Sequence, residues 1–231
     1  MAEFKHLRPC PATGTIKLAD VVKVADNLKR GSLAVLPTET GYMLAALATS
    51  IPAIKRVFTA KGRAAAKVMH VACSSLTMAE TIGELNEPAL RLLGELTPGP
   101  VTVVVNKTPL LPDTLVSLDG TVGIRVPDHP ATLQVINEVG VPLTATSLNV
   151  SGAGSASIGK LDMQFMEWPD NEVVYVVEDD DRIIFDSPST LVRLSGKDIE
   201  ILRQGPISEP EVRRVASLTG DLEVADRNAG R

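Results

Sequence analysis

Apolar positions along this chain follow two alternating rhythms, one of helical period and one of short continuous runs. Leu18, Val21, Val22, Ala25 and Leu28 recur at helical spacing, and Gly31 follows as the natural stop. Residues 33–36 then read as a short buried strand ending at Pro37. Pro52 opens a second helix, with Ile54, Val57 and Phe58 on one face. Residues 67–73 read as a strand, apolar inside except for His70. Pro88 opens another helix, striped by Ala89, Leu92, Leu93 and Leu96. The run 101–105 is the most strand-like in the chain, set off by Thr97-Pro98-Gly99-Pro100. A strand over 121–126, a helix after Pro130 and a strand near Leu143 continue the alternation.

The character changes at Ser151-Gly152-Ala153-Gly154-Ser155-Ala156-Ser157, a small polar segment that is a linker or a loop around a ligand. Short strands are expected beyond it, over 173–177, 182–185, 190–194 and 199–202, and a last helix from Ser208. Residues 221–231 are polar and read as a frayed end. There is no internal repeat. Alternating helices and buried strands predict one continuous α/β domain.

Composition narrows the classes. The chain has 231 residues, 44% hydrophobic and 22% charged, which describes a globular protein with a sizeable core. A net charge of −5 argues against wholesale nucleic-acid binding through a basic surface. Cys10 and Cys73 are too few and too far apart for a disulfide scaffold or a zinc site. No apolar run approaches the ~20 residues needed to cross a bilayer, and residues 1–10 carry no signal-peptide core. The expected compartment is the cytoplasm, with no membrane partner.

Within this acidic chain one segment is cationic. No acidic residue lies between Glu39 and Glu80, yet Lys55, Arg56, Lys61, Arg63 and Lys67 all fall there. Such a cluster is either a solvated basic face or a site for an anion, of which a nucleoside triphosphate is the obvious case. Lys61 and Arg63 are two apart, so in an extended segment they point to the same side. Ser147 and Asn149 share that spacing after the strand near Leu143, and Thr38-Glu39-Thr40 forms a third polar cluster at a strand end. Arg125 sits in an otherwise apolar strand and needs an anion there, from the protein or from a substrate carboxylate. Phosphate-loop, dinucleotide, serine-hydrolase and metalloprotease motifs are absent, and no resident metal site is expected. His6, His70 and His129 have no partners evident from sequence, and His70 reads as a satisfied core residue.

Taken in order, these motifs resemble those of the YrdC/YciO family. The resemblance rests on Pro37-Thr38-Glu39-Thr40, Lys61-Gly62-Arg63 with Lys67, Pro98-Gly99-Pro100-Val101-Thr102, the run 122–130, the run 146–152, Ser189-Thr190 and the run 202–206. It implies a single YrdC-like α/β domain, a twisted mixed sheet flanked by helices. That domain would occupy residues 16–207, after an N-terminal extension (1–15) and before a C-terminal helix and polar tail (208–231) that leave no room for the extra domain of longer members. The implied reaction joins L-threonine and bicarbonate to ATP, accompanied by Mg²⁺. It gives threonylcarbamoyl-adenylate and pyrophosphate, and partner enzymes pass the product to tRNA adenosine. By motif position, Lys61 and Arg63 carry the catalytic role, with Lys67 beside them at the phosphates. Thr121, Ser147, Asn149, Ser155 and Arg203 complete the ATP site. Thr40, Arg125, Ala145 (through its backbone) and Ser189 fall at the threonine site, Arg125 taking the carboxylate.

The chain also departs from the family pattern. Thr40-Gly41-Tyr42-Met43-Leu44 stands where Thr-Val-Tyr-Gly-Leu is usual, so Met43 changes the pocket wall. Ala72 aligns with a frequent histidine, His70 lying on the same strand face; Ala64 replaces a proline, and Thr146-Ser147-Leu148-Asn149 stands where Pro-Ser-Ala-Asn is usual. Two alternatives follow: a YrdC-like enzyme forming a carbamoyl-type adenylate with another acceptor, and a non-catalytic nucleotide- or RNA-binding module. The 3% aromatic content counts against the module, because base stacking needs rings.

Overall fold

The computed structural model describes residues 2–62, 69–115, 119–148, 173–195 and 198–217. Its strands are β1 (Glu3–Leu7), β2 (Ala34–Thr38), β3 (Gly41–Ala45), β4 (His70–Ala72), β5 (Val101–Asn106), β6 (Thr121–Arg125), β7 (Leu143–Ser147), β8 (Val173–Val177), β9 (Thr190–Ser195) and β10 (Asp198–Arg203). They join one mixed sheet in the order β1-β8-β2-β3-β7-β4-β6-β5-β9-β10. The helices are α1 (Leu18–Lys29), α2 (Ile51–Ala60), α3 (Leu76–Ile82), α4 (Glu87–Leu96), α5 (Pro130–Val139) and α6 (Glu209–Ala216).

Local chemistry sets the helix starts. Ser50, Ser75, Asn86 and Ser208 each accept a hydrogen bond from the backbone N–H three residues on, and proline occupies the first turn of α2, α4, α5 and α6. Side-chain alternation then sorts the strands into two faces. Val35, Leu44, Val71, Val103 and Ile124 pack with α2, α3, α4 and α6, while Leu36, Met43, Ala45, Ala72 and Ala145 pack with α1 and α5. The α1/α5 layer stops at β4. Beyond it, on the same face, β6 and β5 present Gly123, Arg125 and Thr102, with Val104 as the apolar side chain among them, and there the site is built.

Three elements go beyond the sequence reading. Residues 3–7 pair in parallel with β8 as β1, and Leu76–Ile82 forms α3. β3 is buried on both faces, so its five residues show no polar–apolar alternation to read. The strand expected over 182–185 does not form: Ile184 and Phe185 give their N–H groups to the Glu39 carbonyl, each at 3.1 Å, instead of to a strand ladder. The segment 151–157 and the polar end 221–231 lie outside the described residues. No helix among the described residues is long and apolar enough to cross a membrane.

Candidate functional site

The turn between β2 and β3 carries the first cluster. Thr38 Oγ1 accepts from the Thr40 N–H (3.2 Å) and donates to the Gly41 carbonyl (2.7 Å), which fixes the tip of the hairpin. Glu39, only 1% exposed, points inward and meets Arg125 from β6. Arg125 Nη2 donates to Glu39 Oε1 at 2.5 Å and Nη1 to Thr40 Oγ1 at 3.1 Å. Glu39 Oε2 accepts in turn from the Asp128 N–H at 2.9 Å. In the strand register, Thr40 and Arg125 are three strands apart and toward opposite ends of β7. The twist of the sheet brings the β2–β3 turn and β6 within reach of one another.

Ser189 and Arg203 form the second cluster. Ser189 Oγ shares a hydrogen bond of 2.7 Å with Thr102 Oγ1. Arg203 Nε and Nη2 clasp the Ser189 carbonyl at 3.1 and 2.9 Å. A bulge between Ile201 and Arg203 makes this possible: it leaves Leu202 outside and turns Arg203 to the side of its partner Leu191, away from the apolar face of Ile201. Gly205 lies so close that an added Cβ would fall 2.4 Å from both the Pro188 oxygen and the Thr190 nitrogen. Burial lowers the Arg203 pKa, and the Arg125 charge lowers it further, so two guanidiniums act on one another across this face. A pair of guanidiniums suits the carboxylate of an amino acid.

Lys61 anchors the third cluster. It closes α2 in helical conformation, so the extended Lys61–Arg63 segment expected from sequence does not start at Lys61. Lys61 is 5% exposed; its Nζ donates to Thr146 Oγ1 at 3.0 Å and, over a short contact, to the Ser147 carbonyl. The ammonium is thus fixed at the end of β7, next to Ala145, whose partner across the ladder is His70. His70 is half-buried, not a core residue, and its ring lies over Gly123: a Cβ there would be 2.1 Å from Nδ1. Met43 is buried in the α1/α5 layer opposite Ser147.

Of the residues singled out from sequence, Thr40 and Arg125 meet directly, as do Ser189 and Arg203, and Lys61 and Ser147. Thr121 shares a strand face with Arg125, but its hydroxyl donates to Asp119 Oδ1 at 2.7 Å. Arg63, Lys67, Asn149 and Ser155 lie outside the described residues. Sequence reasoning left out Glu39 as a working residue, although an arginine in an apolar strand required an anion and Glu39 stood at a buried strand end. Thr102 gave no such signal.

A family model for Sua5, YciO and YrdC proteins, described as "telomere recombination", matches residues 26–205. A Methanocaldococcus jannaschii protein, provisionally named a threonylcarbamoyl-AMP synthase, is 30% identical over 198 residues, covering 83% of this chain and 90% of that one. The Bacillus subtilis threonylcarbamoyl-AMP synthase is 35% identical over 138 residues, 58% of this chain and 40% of its own length. Among solved structures, Sua5 of P. abyssi complexed with L-threonine superposes with a TM-score of 0.78 at 26% identity, covering 92% of this chain and 60% of that one. The chain therefore spans most of the archaeal relative but under half of the Bacillus enzyme.

Proposed function

The chain belongs to the Sua5/YciO/YrdC family, and on that premise we propose that it is a threonylcarbamoyl-AMP synthase, making threonylcarbamoyl-adenylate from L-threonine, bicarbonate and ATP. One observation carries the amino-acid half of the reading. Arg125 is held on two sides by Glu39 and Thr40, while its buried Nε has no hydrogen-bond partner among the described residues. A buried donor left over beside a second guanidinium is an anion receptor.

In this reading Arg125 takes the threonine carboxylate, with the Thr40 and Ser189 hydroxyls and the Ala145 backbone around the rest of the molecule. The threonine amine adds to the carbon of bicarbonate with loss of water, giving a carbamate. A carbamate oxygen then attacks the α-phosphorus of ATP, the bond to the bridging oxygen breaks, and pyrophosphate leaves. ATP enters as its Mg²⁺ complex, a substrate. The protein's contribution is positioning and positive charge. Lys61 supplies a fixed ammonium, and Arg63 and Lys67 are assigned to the phosphates by motif. Ser147, Asn149, Ser155, Thr121 and Arg203 are assigned to the nucleotide in the same way. The product is an activated acyl-type adenylate for transfer to tRNA by partner enzymes, and the compartment is the cytoplasm.

The test is pyrophosphate release from Mg-ATP in the presence and absence of bicarbonate, with each amino acid in turn. Release requiring both threonine and bicarbonate supports the reading. Release with a different acceptor replaces threonine in it, and silence with every acceptor overturns it.

A further inference from the structure

Behind the Glu39 turn lies a cluster that the proposed reaction does not use. His129, which precedes α5, is fully buried, and its Nε2 stands 3.5 Å from Asp179 Oδ1 and 3.5 Å from Asp180 Oδ1. These distances exceed the 2.7–3.2 Å of ordinary N–H···O bonds. Neither ring nitrogen of His129 has a hydrogen-bond partner among the described residues, and Asp180 Oδ1 is buried and unpartnered as well. An imidazole and a carboxylate oxygen, both dry and both unsatisfied, cost stability unless something sits between them.

We infer that His129, Asp179 and Asp180 form a binding site for a divalent cation of the zinc class. The three donor atoms lie within 4.8 Å of one another. Donors placed about 2.0–2.2 Å from a tetrahedral ion stand about 3.3–3.6 Å apart, which matches the two distances from Nε2. One nitrogen and two carboxylate oxygens favour a borderline ion such as Zn²⁺ over Mg²⁺, which prefers oxygen and keeps its waters.

The surroundings hold the donors in place. Asp180 Oδ2 accepts from Arg182 Nε at 3.0 Å, so its other oxygen faces His129. Asp179 Oδ1 accepts from the Arg182 N–H at 3.0 Å and Oδ2 from the Ile183 N–H at 3.3 Å, while the Asp179 N–H donates to the Tyr42 hydroxyl at 2.8 Å. A bound ion would tie the turn after β8 to the start of α5. Asp128, Ile184 and Phe185, whose N–H groups hold Glu39, all lie within a few residues of the ligands. The role is therefore structural: the ion braces the turn that presents Glu39 to Arg125.

The experiment uses the metal-stripped full chain, dialysed to equilibrium against ZnCl₂ and assayed by elemental analysis, with the thermal midpoint as a second readout. The expected result is one Zn²⁺ per chain and a midpoint raised by the ion. Asp180→Asn, which keeps the shape and an oxygen for Arg182, should weaken binding at least about 10-fold and abolish the midpoint rise. His129→Gln should do the same and stands in if Asp180→Asn fails to fold. Cys10→Ser should bind like the parent, because Cys10 is exposed and outside the cluster. No stoichiometric zinc in the parent, undiminished zinc in both site variants, or loss of zinc in Cys10→Ser would overturn the proposal.

Discussion

Glu39 and Arg125, 86 residues apart in sequence, meet in a buried ion pair of 2.5 Å that is also the base of the candidate amino-acid site. The pair does two things at once. It neutralises a guanidinium that an apolar strand could not hold alone, and it orients that guanidinium so that its Nε is left for substrate.

Removing either partner leaves the other charged and buried. Glu39→Ala is therefore expected to cost about 3–5 kcal/mol of stability, and Arg125→Ala a comparable amount. The double variant Glu39→Ala with Arg125→Ala should cost less than the two single changes combined, because no uncompensated charge remains. Urea unfolding of the four proteins measures this directly. Additive losses would mean that the pair carries no coupling.

Lys61 donates to the Thr146 hydroxyl and the Ser147 carbonyl at the end of β7, a position suited to a developing phosphate charge. Lys61→Met should lower pyrophosphate release by about 100-fold or more while moving the thermal midpoint little. Lys61→Arg should not restore the rate, since a planar fork cannot replace a compact ammonium between Thr146 and the Ser147 carbonyl. A restored rate would show that only the charge matters.

Gly123→Ala puts a methyl group 2.1 Å from His70 Nδ1 and 3.0 Å from Thr102 Cγ2, so the ring must swing away from β6. The expected effect is a rise in the KM for the amino acid of about 10-fold or more, with the KM for ATP changed far less. Steady-state kinetics with each substrate varied in turn gives the comparison, and equal shifts in both constants would show that the face of Gly123 serves the amino acid no more than it serves ATP.

The two thiols should differ sharply. Cys10 is exposed, and hydrogen bonds from the Ala12 and Thr13 region lower its pKa, which raises the thiolate fraction at neutral pH. Burial pushes the Cys73 thiol far above its ordinary value. Iodoacetamide at pH 7.5 should alkylate Cys10 within minutes and Cys73 only after unfolding, as peptide mass spectrometry would report. Early labelling of Cys73 would reveal opening of β4.

Much of the fold was legible because the helices and inner strands obey local rules. Proline starts, serine and asparagine caps and a helical apolar stripe are written in neighbouring residues. β3 was not legible because burial on both faces erases the alternation that marks a strand. The stretch 182–185 has strand composition, yet tertiary contact with Glu39 takes its N–H groups. At the site, Arg125 announced itself by a charge in the wrong surroundings, whereas Thr102 and the bulge that turns Arg203 are ordinary residues until the register is known. The His129 cluster was hidden for the same reason: its partners come from Asp179 and Asp180, some fifty residues on, and from nothing local.

The contacts that build the site join distant parts of the chain: Lys61 to Thr146, Thr40 and Glu39 to Arg125, Thr102 to Ser189, each pair 85 to 87 residues apart. No early fragment of the polypeptide holds even one complete half of it. A chain still emerging from the ribosome can bury its first helices, but it lacks a competent receptor until Ser189 and Arg203 have been synthesised and have closed the last edge of the sheet. Any product that ends before Arg203 therefore lacks the contacts that complete the candidate site, however well its first helices have packed.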